Sequence, residues 1–147
     1  MAAIKDCTDI EQSRKLADIL KIESADNVIV SIGDRQGVKT ITMPKETFNI
    51  LRTTFADIRN AIPCWSVAAL LATLPNEIIT DNRFECHYQI HIRKYDGGDN
   101  TTLHQIAYGN DRGSSGSWHD MINTGEKENL IDCCVQIILT LHKFKML

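Results

Sequence analysis

The chain of 147 residues is 43% hydrophobic and 24% charged, which fits a single folded domain over residues 1–147 and excludes a disordered polymer. Its net charge of -3 and pI of about 5.9 leave no basic stripe of the kind that duplex DNA or RNA needs. No apolar run approaches the roughly 20 residues that span a bilayer, and no leader-like segment opens the chain. The expectation is therefore a cytoplasmic protein without a membrane partner. Five cysteines, Cys7, Cys64, Cys86, Cys133 and Cys134, form an odd set without a Cys-x-x-Cys pair. Free thiols in a reducing compartment follow from that pattern.

In chain order, Thr8-Asp9-Ile10-Glu11 reads as a capping box that starts a helix within residues 1–22, with Ile10, Leu16, Ile19 and Leu20 on one face. Val28 to Ile32 and Val38 to Met43 are β-prone runs on either side of Gly33-Asp34-Arg35-Gln36-Gly37, which predicts a hairpin. Pro44 suits a first helical position. Phe48, Leu51, Phe55 and Ile58 then recur at helical spacing, predicting a helix over about residues 45–58. A short helix from about Ser66 to Leu74 lies between Pro63 and Pro75.

Residues 84–95 alternate with period two. Phe84, Cys86, Tyr88, Ile90 and Ile92 take one side, and Glu85, His87, Gln89, His91 and Arg93 the other. A turn at Asp96 to Asn100 returns the chain along residues 101–108, with Ile90 expected opposite Ile106 and His91 opposite Gln105. Gly109 to Gly125 reads as a loop, and Asn129 to Lys143 as an apolar, centrally packed helix. The predicted fold is α+β: a small twisted antiparallel sheet of about four strands, built from two hairpins, with three to four helices packed on one face.

Three segments resemble a known family. They are Cys7 to Ala17 with Glu23-Ser24-Ala25-Asp26 soon after, Ile62-Pro63-Cys64-Trp65-Ser66 through Leu71, and Ile131-Asp132-Cys133-Cys134 through Lys143. They are similar to the TDIEQSKKLAE, IP-W-S-L-x-A-L-L and DNPVDACVEMI-KLHELK stretches of small uncharacterised proteins from gut Bacteroidales genomes and their phages. About a third of the chain is covered. Glu128-Asn129-Leu130 stands where the family has Asp-Asn-Pro, and residues 109–124 have no counterpart. The resemblance implies a phage or mobile-element origin and no activity.

The candidate constellations are few. His87 and His91 would share a face on a helix, but on a strand they sit about 13 Å apart, too far to chelate one ion, so no metal is expected. None of the five histidines lies in a His-x-Ser/Thr motif, and Gly-x-Ser-x-Gly, P-loop and His-Glu-x-x-His patterns are absent. Cys64 beside Trp65 reads either as a thiol nucleophile or as a packed thiol at a helix start. The stretch Gly109 to His119 combines small residues that let backbone N–H groups approach an anion with a guanidinium and an aromatic ring. It is also what a plain surface connector looks like.

From these features the expected ligand-binding residues are Arg112, Ser115 and Trp118, closed against His91 and Arg93 of the polar strand face. The corresponding function is a non-enzymatic accessory protein that sequesters a small anionic, nucleotide-like ligand, as in counter-defence, with no cofactor. One alternative is a protein-interaction module or homo-oligomer acting through an exposed sheet edge. Another is an enzyme with an unfamiliar site built from His87, His91, His104 or His119.

Overall fold

Asp9, one residue beyond the expected Thr8, caps the first helix in the computed structural model. The Asp9 carboxylate accepts the Gln12 backbone N–H at 2.9 Å, and the Gln12 side-chain oxygen accepts the Asp9 N–H at 3.2 Å. Thr8 is thereby released for the interior. Its buried hydroxyl lies 2.8 Å from Ser13 Oγ and accepts the Trp65 backbone N–H at 3.1 Å. The structure describes residues 5–34, 36–54, 61–80, 85–111 and 118–147, without the side chains of residues 34, 53 and 54. Two compact units emerge, Lys5–Thr73 and Leu74–Leu147. The class is α+β, as expected.

The unit Lys5–Thr73 contains α1 (Ile10–Ala17), a single 3-10 turn (Ile22–Ser24), β1 (Asn27–Asp34), β2 (Gly37–Pro44), α2 (Lys45–Thr54), β3 (Ala61–Cys64) and α3 (Val67–Thr73). β1 and β2 form the expected antiparallel hairpin, with Val28 opposite Met43 and Val30 opposite Ile41. β3 was not legible, because four residues containing Pro63 carry no period. It pairs with β1, Ile29 opposite Ile62, giving the order β2-β1-β3. Proline is tolerated there because β3 is an edge strand. Pro44 closes β2 rather than opening α2, and the Lys45 N–H donates to the Asp26 carbonyl at 3.0 Å. Phe55 and Ile58 of the expected helix lie outside the described residues.

Trp65 is fully buried and donates its indole N–H to Ser24 Oγ at 3.0 Å, so its one polar atom is satisfied. Next to it, Ser66 donates its backbone N–H and its hydroxyl to the Asp26 carboxylate at 2.9 and 2.5 Å. The same hydroxyl oxygen accepts the Ala69 N–H at 3.2 Å, an N-terminal cap for α3. Among the described residues Leu16, Ala25, Val28, Ile29, Val30, Cys64 and Leu70 complete the buried apolar set of this unit.

The unit Leu74–Leu147 holds β4 (Glu77–Thr80), β5 (Cys86–Asp96), β6 (Thr102–Asp111), β7 (Trp118–Asn123) and α4 (Leu130–Lys143). The strands form an antiparallel meander, β4-β5-β6-β7. The two expected hairpins therefore belong to different sheets. The turn between β5 and β6 keeps the expected five residues but starts one residue later, at Gly97 instead of Asp96. The Gly97 N–H donates to the Thr101 carbonyl and the Thr101 N–H to the Gly98 carbonyl, each at 2.8 Å, with Gly98, Asp99 and Asn100 all at positive φ. Ile90 consequently faces Tyr108, and His91 faces Ala107, a slip of two residues from expectation. A two-residue slip keeps every side chain on its expected side.

The expected loop over residues 109–125 is largely strand. β6 continues to Asp111, and Trp118 to Asn123 returns as β7, with a bulge at Tyr108/Gly109. α4 lies on β6, and Ile131, Cys133, Cys134, Val135, Ile137, Ile138 and Leu141 are buried. That cover fades along β5. Tyr88 is buried, but Ile90, expected in the core, is only half-buried, and Ile92 is 49% exposed. Phe84 lies outside the described residues. Among the described residues no helix is long and apolar enough to cross a membrane.

Leu70 and Ile138 have no exposed surface. Truncating either to alanine should cost about 2–5 kcal/mol in urea unfolding, the range of buried large-to-small changes. A cost below about 1 kcal/mol at both would show that neither side chain is packed as described.

Candidate functional site

The antiparallel alternation divides the β4–β7 sheet into a face carrying Ile106 and Tyr108, with α4 lying on β6, and an opposite, polar face. His91 and Arg93 of β5 lie on the polar face with Gln105, Ala107 and Gly109 of β6 and with Trp118 and Asp120 of β7. Three of the five residues singled out in the sequence are thus brought together. The Trp118 and His91 ring centroids are 3.8 Å apart, with the planes tilted by 32°. Arg112 and Ser115 lie outside the described residues.

Asp120 organises this face. Its carboxylate accepts two parallel bonds from Arg93, at 2.7 and 2.9 Å, and the Trp118 indole N–H at 2.7 Å. Arg93 also donates to Gln105 Oε1 at 3.0 Å, which in turn accepts the Tyr95 hydroxyl at 3.0 Å. The Arg93 bonds hold the Asp120 carboxyl below its ordinary value, and the Trp118 N–H adds to that; the same contact raises the Arg93 guanidinium. Arg93 is therefore a neutralised, positioned group and not a spare cation for an incoming anion. Fork-to-carboxylate pairing of this kind fixes orientation as well as charge.

Gly109 is the second structural requirement. A Cβ at this position would come within 2.6 Å of Trp118 Nε1 and closer still to the His119 carbonyl oxygen. Only a residue without a side chain lets the indole lie this close to β6. Sequence reasoning missed Asp120, Gln105, Tyr95 and Gly109. The signal was present in Trp118-His119-Asp120, whose spacing of two puts indole and carboxylate on one face of a strand. Reading the stretch as a loop concealed it.

The histidines do not converge. His87 contacts Glu77 Oε1 through Nδ1 at 2.9 Å, while His91 meets Trp118. His104 and His119 fall on the opposite side of the strands by alternation, opposite Lys94 and Asn110. The Cys64 thiol is buried, and its pKa is pushed up to about 12 by desolvation first and then by neighbouring Cys7. That is the behaviour of a packed thiol, not of a nucleophile. Burial likewise pushes Cys134 up to about 12, and all five cysteines carry free thiols.

Comparison with protein-family models, with curated proteins and with solved structures finds no match to this chain.

Two outcomes check this geometry. Gly109→Ala should displace Trp118 from His91, read as a changed near-ultraviolet circular dichroism spectrum with the far-ultraviolet spectrum kept. An unaltered tryptophan signal would mean that the indole does not rest on β6. Because the Asp120 pKa is depressed in the folded chain, its stabilising contribution is present above the unfolded carboxylate value and is lost as pH falls through the folded one. Asp120→Asn should accordingly be less stable than the parent at pH 7, with the gap closing below about pH 4. A gap that persists unchanged at low pH would assign the loss to something other than the ionised pair.

Proposed function

We propose that the chain is a non-enzymatic binding protein that takes a small, flat-ringed, nucleotide-like anion on the polar face of the β5–β7 sheet. One observation carries this reading. Asp111 and Trp118, which flank Arg112, two glycines and three serines in the sequence, pair with each other at the end of this face. Trp118 and His91 offer rings against which a base stacks. Arg93 is committed to Asp120, so the countercharge falls to Arg112, with Ser115 and loop N–H groups as further donors. The scattered histidines and the raised Cys64 thiol favour binding over chemistry. The resemblance to Bacteroidales and phage proteins supports an accessory role on a mobile element, for which capture of a nucleotide signal used in defence is a natural use.

A second reading, a protein-interaction module, is favoured by a separate observation. Among the described residues β2 is an edge strand, exposed over nearly its whole length, and Val38 is 74% exposed. An open edge offers main-chain groups to a further strand.

Thermal unfolding against a panel of mono-, di- and cyclic nucleotides tests the first reading. A ligand at about 100 times its dissociation constant adds about 2.7 kcal/mol of stability. Arg112→Ala should remove most of that gain and leave the unliganded melting temperature nearly unchanged, a stability change of under about 0.5 kcal/mol. No shift with any nucleotide, or an undiminished shift in an Arg112→Ala, Trp118→Ala chain, would refute the assignment.

A further inference from the structure

The edge strand β2 borders a cavity of about 610 Å³ within the Lys5–Thr73 unit. Thr40 and Thr42 of β2 and Ile29 of β1 line it from the sheet, and residues 5–11 line it from the opposing segment. Asp6, Asp9 and Glu11 bring three carboxylates to the lining against the single ammonium of Lys5. Asp9 pairs with Lys5 at 3.2 Å, and Glu11 with Lys15 at 2.7 Å on the exposed side. With Lys5 and Lys15 set against the three carboxylates, the cleft keeps an excess of one negative charge, with Asp6 in its lining, and it lies beside a strand whose outer edge pairs with no other strand among the described residues.

Alternation along β2 gives the two sides of that edge different chemistry. Thr40 and Thr42 share the cleft side, together with Val38 by spacing. Lys39 and Ile41 take the other side, opposite Ile32 and Val30 of β1. Ile41 and Ile32 are 44% and 40% exposed. A strand added to this edge would meet acid on one side and exposed β-branched apolar side chains with one lysine on the other.

We propose that β2 is a docking edge for an extended basic peptide segment, which adds as a further strand and places its lysine or arginine side chains in the acidic cleft. The proposal rests on the protein-interaction reading above and specifies its partner. Strand addition draws affinity from main-chain hydrogen bonds and specificity from pockets that accept alternate side chains, and this edge has both. Charge selects the occupant. A second copy paired about a twofold axis would bring two acidic clefts together, and like charges across an interface are repulsive. A segment alternating basic and β-branched residues meets neither that repulsion nor Lys39, because its apolar residues lie on the lysine side.

The test uses the full chain and two fluorescein-labelled eight-residue peptides, matched in length to β2 (8 residues), one alternating lysine with valine and the other glutamate with valine. Anisotropy titrations are combined with hydrogen exchange of the β2 amides. The lysine peptide should bind and protect β2, and the glutamate peptide should do neither. Asp6→Asn with Glu11→Gln should weaken binding by about tenfold while leaving the melting temperature unchanged. If both peptides protect β2 equally, the edge docks strands without charge selection; the proposal fails and the interaction reading stands. If neither protects β2, both fail. If β2 amides are protected in the chain alone and the solution mass doubles with concentration, the occupant is a second copy and the basic-peptide assignment is wrong.

Discussion

Four successive residues of β6, Ile106, Ala107, Tyr108 and Gly109, are buried, and successive residues of a strand point to opposite faces. A central strand buried on both sides needs cover on both, and the Leu74–Leu147 unit supplies it by two different means. On one side is α4, whose apolar residues give it seven buried positions. On the other, Trp118 comes down on Gly109. The backbone of β6 is satisfied by ladders to β5 and β7, and at its bulged end Thr124 exchanges hydrogen bonds with Ile106 at 3.0 Å through N–H and hydroxyl. Removing water from both faces is what makes these bonds count, since an unpaired buried amide would cost about 1–3 kcal/mol.

The polar face is consequently held by charge and hydrogen bonding, not by aliphatic packing. Arg93 and Asp120 are 26% and 20% exposed, between the surface limit, where an ion pair contributes on the order of 1 kcal/mol or less, and the interior, where desolvation offsets the attraction. The larger effect is orientation. One carboxylate fixes both a guanidinium and an indole, and the indole reaches His91. A ligand here would meet preformed aromatic surface but no idle cation on β5, so discrimination by charge depends on what the adjoining segment brings.

The Lys5–Thr73 unit uses a different device. Short polar side chains, not a long apolar stripe, fix its connections: Thr8 to Ser13 and Trp65, Ser24 to the indole of Trp65, and Asp26 to Ser66. All but the Thr8–Ser13 contact join segments far apart in the chain, from the 3-10 turn and the residues just before α1 and β1 to the stretch between β3 and α3. These bonds concentrate order around Trp65, while β2 is left exposed on both sides. Stability and openness are thus separated within one unit, which is the arrangement an edge needs if a strand is to be added without unfolding anything.

The sequence by itself determined the elements whose period is long or whose ends are punctuated. α4, α3, the β1–β2 hairpin and the side assignment of β5 all follow from apolar spacing, with turns at Gly37 and Gly97-Gly98. It also set Trp118 near His91 and Arg93, as part of a loop expected to close against the polar strand face; that Trp118 shares their sheet face came from β7. Tertiary structure alone decided the rest. β3 and β4 are four residues long and take their strand character from a partner, not from a pattern of their own. The register of β5 on β6 depends on whether the five-residue turn closes over residues 96–100 or 97–101. β7 was hidden because its apolar residues, Trp118, Met121 and Ile122, do not alternate; its pairing is set by β6, and Asp120 of β7 and Gly109 of β6 acquire roles only once the strands are adjacent. Local sequence encodes which face a side chain takes, whereas the identity of its neighbours comes from chain segments that only folding brings within hydrogen-bond reach.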